Sequence, residues 1–297
     1  MMPAALYSFD HGFEHAEALA VALGVPLAAV GLHSFPDGES RVAVPEAASV
    51  ALIYCPLDRP NARLVDLMLA ADALRRGGAR RLVLVAPYLC YMRQDKAFNV
   101  GEAVSQQAVA RFLSGLFDRI VTVDAHLHRV ADIAQVFPDI EAQNLSAANA
   151  IAAHASMHGI GTDALVAGPD AESVQWARCI AKALGAEAVA GEKRRLGDRR
   201  VVISFPAVGI QGRTVLLTDD IVSSGGTMTV AVHALAQGGA AAIFVAVTHA
   251  LFDAVTEARL RATGANEIWS TTAVPHPTNK IPLVTLLSEA LRDEMKK

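Results

Sequence analysis

Two adjacent carboxylates, Asp219 and Asp220, directly follow an apolar run of Val215, Leu216 and Leu217 and precede Ser223, Ser224, Gly225, Gly226 and Thr227. The apolar run predicts a buried parallel strand. The residues beyond, Met228, Val230, Ala231, Ala234 and Leu235, are spaced as a helix. Strand, acidic pair, Gly/Ser/Thr turn and helix make a chemical layout. Glycines let a backbone approach a ligand closely, freed N–H groups and hydroxyls bind phosphate, and the helix N-terminus adds a favourable dipole. The carboxylates suit sugar hydroxyls or a magnesium ion. An ordinary βα turn with capping residues explains a bare SGGT equally well, but gives no reason for the acidic pair at that offset.

Five more stretches carry candidate chemistry. His33 to Arg41 is a turn with an aromatic, Phe35, and two acids, Asp37 and Glu39; Pro-Asp-Gly is strong turn chemistry, so a plain surface turn is its bland reading. Pro87 to Lys96 follows a predicted strand end, where open α/β sheets bind ligands. There Arg93 has the fork for phosphate oxygens and Gln94 the amide for a base or sugar edge, against the alternative of a solvated charged loop. The residues after it, Phe98 to Ser105, read as mobile. Asp124, His126 and His128 stand at another strand end, as ligands of magnesium or phosphate or as structural groups. Asp170 fits an N-cap or a metal-facing carboxylate. Gly191 to Arg200 is a basic flap in which Lys193, Arg194 and Arg195 suit a transferring phosphoryl group better than a merely solvated charge run. His154 and His158, i and i+4 on a predicted helix, read as an exposed face, because no third ligand is near in sequence.

Strand and helix signals alternate along all 297 residues. Strands are expected at Ala4–Phe9, Ser49–Cys55, Arg81–Ala86, Ile120–Val123, Ala164–Ala167, Thr214–Thr218 and Ala241–Val247, with helices between most of them. This is the rhythm of parallel sheets with sites at the strand carboxyl ends. An internal echo suggests two similar halves: Ala73 to Ala79 and Ala234 to Ala240 both end a helix at Gly-Gly before a strand. The same offset lays Asp219 on Asp58 and Leu64 to Asp66 on Gly225 to Thr227. The first half thus repeats the scaffold without the loop. The expected domains are 1–146 and 147–282, with a helix in 283–297 packing back on the first.

Hydrophobic residues make up 53% and aromatics 5%, with a net charge of −4. This favours an α/β protein with small-residue packing and argues against a nucleic-acid surface, so local basic clusters suit small anions. The three cysteines lack metal or disulfide spacing, the start lacks a leader-like apolar core, and no run reaches the roughly 20 residues that span a bilayer. A cytoplasmic protein is expected. No G-x-x-x-x-G-K-[ST] stretch is present, so nucleotide binding cannot use a Walker loop.

DDIVSSGGT, Asp219 to Thr227, resembles the loop of the phosphoribosyltransferase fold that binds 5-phosphoribosyl 1-diphosphate (PRPP), whose common form is DDxxDTGGT. The other motifs occur in the order of the ribose-phosphate diphosphokinase (PRPP synthetase) family. They are F-x-D-G-E at Phe35 to Glu39, P-Y-x-x-Y-x-R-Q-D at Pro87 to Asp95, D-x-H at Asp124 and His126, P-D at Pro169-Asp170, and K-R-R at Lys193 to Arg195. The resemblance implies two similar phosphoribosyltransferase-like domains and transfer of the diphosphoryl group of ATP to the 1-hydroxyl of ribose 5-phosphate, giving PRPP and AMP. It implies Lys193 and Arg195 as catalytic cations. Phe35, Asp37, Glu39, Arg93, Gln94, Asp95 and His126 would bind ATP, and Asp219, Asp220 and Ser223 to Thr227 would bind ribose 5-phosphate. Asp124, His126 and Asp170 would be ligands of Mg2+. Because the Phe35 segment would serve a neighbouring subunit, it also implies a homo-oligomer, at least a dimer and up to a hexamer, with no membrane or nucleic-acid partner.

The chain departs from that pattern in places. Ser223-Ser224 replaces Asp-Thr, removing a carboxylate beside the phosphate. Glu172-Ser173 stands where glycines are usual, the flap after Asp95 loses polar groups, and Gln143 replaces an acid. These departures mark a divergent branch and bear on phosphate activation, feedback and nucleotide preference. Two alternatives remain: a PRPP-consuming phosphoribosyltransferase, which would leave FPDGE and RQD without a task, and a non-catalytic regulatory subunit of the same fold, which would be expected to lose Lys193, Arg195 or the acidic pair.

Overall fold

The computed structural model describes residues 2–127, 129–195, 201–206 and 209–297, with backbone only at Arg195 and Val201. The chain divides into two compact units, Met1–Leu145 with Leu283–Lys297, and Ser146–Pro282.

In the first unit β1 (Ala4–Ser8), α1 (Phe13–Leu23) and β2 (Leu27–Ala29) are followed by a hairpin of β3 (Gly31–Ser34) and β4 (Ser40–Ala43). Then come β5 (Val50–Tyr54), α2 (Pro60–Arg76), β6 (Arg81–Val85), α3 (Ser105–Ser114), β7 (Arg119–Val123) and β8 (Glu141–Leu145). The sheet runs β2-β1-β5-β6-β7-β8, all parallel. Strands β1 and β5 are buried at every position, which is why they read as continuous apolar runs rather than alternating ones.

The second unit contains α4 (Ala148–Met157), β9 (Leu165–Gly168), α5 (Val174–Leu184) and β10 (Glu187–Ala190), then an antiparallel pair, β11 (Glu192–Arg195) and β12 (Val201–Ser204). It continues with β13 (Thr214–Val222), α6 (Gly226–Gln237), β14 (Ala242–Ala250), α7 (Ala254–Thr263), β15 (Glu267–Thr271) and β16 (Asn279–Ile281). Its sheet, β10-β9-β13-β14-β15-β16, has the same order as the first. Both sheets therefore reverse direction at one point, between β1 and β5 and between β9 and β13. That is where open α/β sheets form a ligand crevice at the strand carboxyl ends. The fold is α/β with two parallel six-stranded sheets flanked by helices.

The chain ends in α8 (Val284–Leu291) and a 3-10 turn over Arg292–Lys296. Glu294, fully buried, accepts hydrogen bonds from Arg81 (Nε 2.5 Å, Nη2 2.9 Å) and Arg119 (Nη1 2.7 Å). Burial alone would raise its pKa, but the two guanidinium groups outweigh burial and hold the carboxyl down at about 2. This ion cluster fastens the C-terminus to the amino ends of β6 and β7.

Two expectations fail here. His154 is buried rather than exposed: Trp269 lies edge-on to it at 4.8 Å, and His158 packs on the same indole. The echo between halves is also out of register. Both helix ends and the strands after them match at the expected offset, but Val50 pairs with Arg81 where Thr214 pairs with Ala242. Cys55, not Asp58, therefore corresponds to Asp219. The slip arises because the two crossovers differ: α2 has 17 residues and α6 only 12, the surplus lying at the N-terminus of α2, where Pro60 opens the helix.

Candidate active site

Strand β13 runs four residues past its predicted end, so Asp219 and Asp220 lie inside it. Asp220 is 3% exposed, and its Oδ1 accepts the Ile221 N–H at 2.8 Å; Asp219 Oδ1 accepts the Asp220 N–H at 3.0 Å. Burial first, and then the charges of Asp220 and Asp170, push the Asp219 pKa well above the usual carboxylate range. The second unit thus brings Asp220 and Asp170 close enough for their charges to be felt at Asp219.

Gly225 begins the next helix as its N-cap, in the left-handed region at φ 69°, with no side chain capping the helix. A Cβ there would lie 2.3 Å from Thr256 Cγ2, so both the backbone angle and the space require glycine. The N–H groups of the first turn of α6 have no intrahelical acceptors. With Ser223, Ser224 and Thr227 beside them, they form an anion cradle.

Asp170 stands at the end of the neighbouring strand, β9. Its Oδ1 accepts the N–H groups of Glu172 (3.1 Å) and Ser173 (3.2 Å), and its Oδ2 pairs with Lys193 Nζ at 3.1 Å. It caps a turn ahead of α5, whose own N-cap is Ser173, and pairs with a lysine. Lys193 reaches it because the base of the β11–β12 flap lies close against β9. Gly191 donates its N–H to Gly168 O at 2.8 Å, and a Cβ on Gly191 would meet Pro169 O at 2.6 Å. A cleft of about 680 Å3 opens between these groups, lined by Asp170, Glu172, Gly191 and Lys193 among others. Ser173, where the family pattern has glycine, is fully buried and returns its hydroxyl to the Asp170 carbonyl at 2.8 Å, so the departure is absorbed by the turn. The side chain of Arg195 and all of His128 lie outside the described residues.

The first unit holds the remaining candidates. Phe35, Asp37 and Glu39 form the tip of the β3–β4 hairpin, closed by Phe35 N–H to Glu39 O (2.8 Å) and Glu39 N–H to Asp37 Oδ1 (3.1 Å). All three are exposed, Phe35 at 40%. In the loop after β6, Arg93 is exposed, and Gln94 Oε1 accepts the Ser105 hydroxyl at 2.5 Å. Asp95, only 5% exposed at its side chain, is ion-paired with Arg129. The Phe98 to Ser105 segment is a turn in which Glu102 accepts the N–H groups of Phe98 (2.8 Å) and Asn99 (3.0 Å). Asp124, at the end of β7, has a positive φ of 40° and donates its N–H to Leu145 O at 2.8 Å; His126 follows, half-buried. Tyr91, with φ 61°, is the other non-glycine residue in the left-handed region among the described residues. Both follow the carboxyl ends of parallel strands, β6 and β7.

The three residues read as metal ligands are divided between the units, Asp124 and His126 in the first and Asp170 in the second. Among the described residues no group of three His, Cys, Asp or Glu side chains forms a ready-made metal cage. The donors of Asp219, Asp220 and Asp170 are hard oxygens, which fits a magnesium ion completed by phosphate oxygens rather than one caged by protein. Sequence reasoning missed Asp253, Thr256 and Arg259, which back the loop from α7. Asp253 followed three residues later by Thr256 is a legible N-cap signal, and Asp253 Oδ1 does accept the Thr256 N–H at 2.8 Å, but nothing in sequence ties α7 to Gly225.

Comparison with known proteins bears on the whole chain. Residues 4–116 match the model described as the N-terminal domain of ribose phosphate pyrophosphokinase, and residues 139–264 match the phosphoribosyl transferase domain. A ribose-phosphate pyrophosphokinase of Methanopyrus kandleri is 36% identical over 96% of this chain and 97% of its own length. That of Thermococcus kodakarensis is 34% identical over 94% and 98%. The crystal structure of phosphoribosylpyrophosphate synthetase from Mycobacterium smegmatis superposes with a TM-score of 0.85 at 28% identity, covering 99% of both chains. With its two like-ordered sheets and the acidic strand end beside an uncapped helix, the chain belongs to the ribose-phosphate pyrophosphokinase family.

Proposed function

We propose that this enzyme moves the diphosphoryl group of ATP to the 1-hydroxyl of ribose 5-phosphate, yielding PRPP and AMP, and that the second unit holds the sugar while the first supplies the nucleotide-binding elements. The observation that carries this reading is the crowding of Asp219, Asp220 and Asp170 beside an uncapped helix N-terminus and a lysine. The 5-phosphate sits on the N–H groups and hydroxyls of Ser223 to Thr227, and Asp219 and Asp220 take the 2- and 3-hydroxyls. Lys193 exchanges its contact with Asp170 for the diphosphoryl oxygens, where Arg195 joins it; fixed cations of this kind gain most as charge develops in the transition state.

When bound, Mg2+ would supply further charge neutralisation; Asp170, Asp219 and Asp220 would be its donors in the second unit, and Asp124 and His126 would be donors in the first. Arg93, Gln94 and Asp95 seat the nucleotide. Phe35, Asp37 and Glu39, exposed on their hairpin, contribute to a neighbouring subunit's site in a homo-oligomer. No helix among the described residues is long and apolar enough to cross a membrane, which is compatible with a cytoplasmic location. Incubation with ATP, ribose 5-phosphate and magnesium, read by mass spectrometry, yields AMP and PRPP in equal amounts. ADP in place of AMP contradicts the reaction, and no product while ribose 5-phosphate still binds favours the regulatory-subunit alternative.

A further inference from the structure

The phosphate loop depends for its shape on a neighbouring helix. Thr256, 6% exposed in the first turn of α7, presses its Cγ2 against the space where a Gly225 Cβ would stand. One turn on, the exposed Arg259 reaches back and donates from Nη2 to the Ser224 carbonyl, with a second contact to Thr256 Oγ1 at 3.3 Å. From the other side, the N–H and hydroxyl of Thr229 both donate to the Gly225 carbonyl at 2.8 Å. The two consecutive carbonyls of the loop are thus turned toward protein donors. What remains for a ligand is the N–H edge at the start of α6, which has no internal acceptors.

A peptide unit has a donor on one side and an acceptor on the other. If the Ser224–Gly225 peptide rotated, an oxygen would face an anion where a donor is needed. Glycine at the N-cap makes that rotation easy, so the fold needs something outside the loop to prevent it.

We propose that Arg259 is a positioning residue for ribose 5-phosphate: by holding the Ser224 carbonyl it fixes the following N–H groups toward the 5-phosphate. This rests on the reading of Ser223 to Thr227 as the ribose 5-phosphate loop. Arg259 acts through the loop and does not join the transfer itself, so its loss falls on sugar affinity and spares the chemical step.

The test compares Arg259→Gln, Arg259→Lys and Arg261→Gln, the last removing a cation of the same helix that pairs with Glu257. Steady-state kinetics are read together with hydrogen exchange of the 223–229 segment in the ligand-free protein. Arg259→Gln raises the KM for ribose 5-phosphate about tenfold, as expected for a lost charged hydrogen bond. It leaves kcat and the KM for ATP within about twofold and speeds exchange of that segment about tenfold. Arg259→Lys recovers most of both effects, and Arg261→Gln shows neither. Unchanged exchange overturns the proposal. So does an equal loss of affinity for both substrates with faster exchange throughout the second unit, which is what a merely structural role would produce. If the wild-type protein makes no PRPP, the proposed function fails, and loop exchange alone then decides the role of Arg259.

Discussion

The two crossovers at the switch points of this chain begin alike and end differently. In the second unit β13 delivers Asp219 and Asp220, and a short loop with Gly225 at φ 69° opens α6 with no side-chain cap. In the first, α2 likewise has no side-chain cap, but it starts early at Pro60, whose missing N–H suits the first helical position, and no glycine precedes it in the turn. The space between is knitted by Arg63, ion-paired with Asp58 and donating to Pro56 O at 2.6 Å. Cys55 stands where Asp219 would, its thiol pushed up to about 12 by burial, 3.6 Å from His11, whose pKa burial and Arg63 lower to about 4. One crossover carries two adjacent acids and a glycine turn at its helix start. The other has a thiol in place of the acid and an arginine tied back to its own loop, while Asp66 Oδ1 in α2 is buried without a hydrogen-bond partner. The two differ in the acids and the glycine turn, not in helix capping, since neither helix has a side-chain cap.

The contrast predicts where substitutions hurt. Lys193→Ala lowers turnover by about two orders of magnitude or more, measured by steady-state kinetics, while calorimetry shows ribose 5-phosphate still bound. Near-normal turnover would remove Lys193 from the reaction. Glu294→Gln leaves Arg81 and Arg119 without their buried partner and costs about 3 kcal/mol of stability in denaturant titration. Because the Glu294 carboxyl is depressed on folding, its contribution is full above about pH 4.5 and is lost as the pH falls toward about 2. Melting curves of wild type and variant therefore converge in acid.

Asp219→Asn moves stability the other way. A carboxyl raised on folding costs stability once it ionises in the unfolded chain, above about pH 3.8, and costs nothing below. The amide variant therefore melts a few degrees higher at pH 7, gains nothing at pH 3, and loses activity. A melting temperature that falls at pH 7 would mean the carboxylates are already balanced by protein groups.

What was legible in the sequence was what local pattern encodes. β13, its acids and the Gly-Gly loop announce themselves because a buried parallel strand is a continuous apolar run and the loop has a composition of its own. The β3–β4 and β11–β12 hairpins were not foreseen as strands. β11 is wholly charged and β3 is exposed throughout, so neither shows a buried apolar run; β12 is apolar, with Ile203 in the core, but is only four residues long and pairs with β11 alone. His154 was misread because Trp269, which buries it, comes from a strand over a hundred residues away. The slip of Asp58 against Asp219 was hidden because matching Gly-Gly ends give the offset after the helix, while a helix of different length hides the offset before it.

The most direct test is a calorimetric titration of the protein with ribose 5-phosphate, beside Gly225→Ala with its fold checked by circular dichroism. One acidic strand end with a glycine turn per chain predicts one ribose 5-phosphate per chain, and the Cβ that would meet Thr256 at 2.3 Å predicts that the variant binds at least about a hundredfold more weakly. Two equivalents per chain, or undiminished binding in Gly225→Ala, would contradict the assignment of the sugar phosphate to the second unit alone.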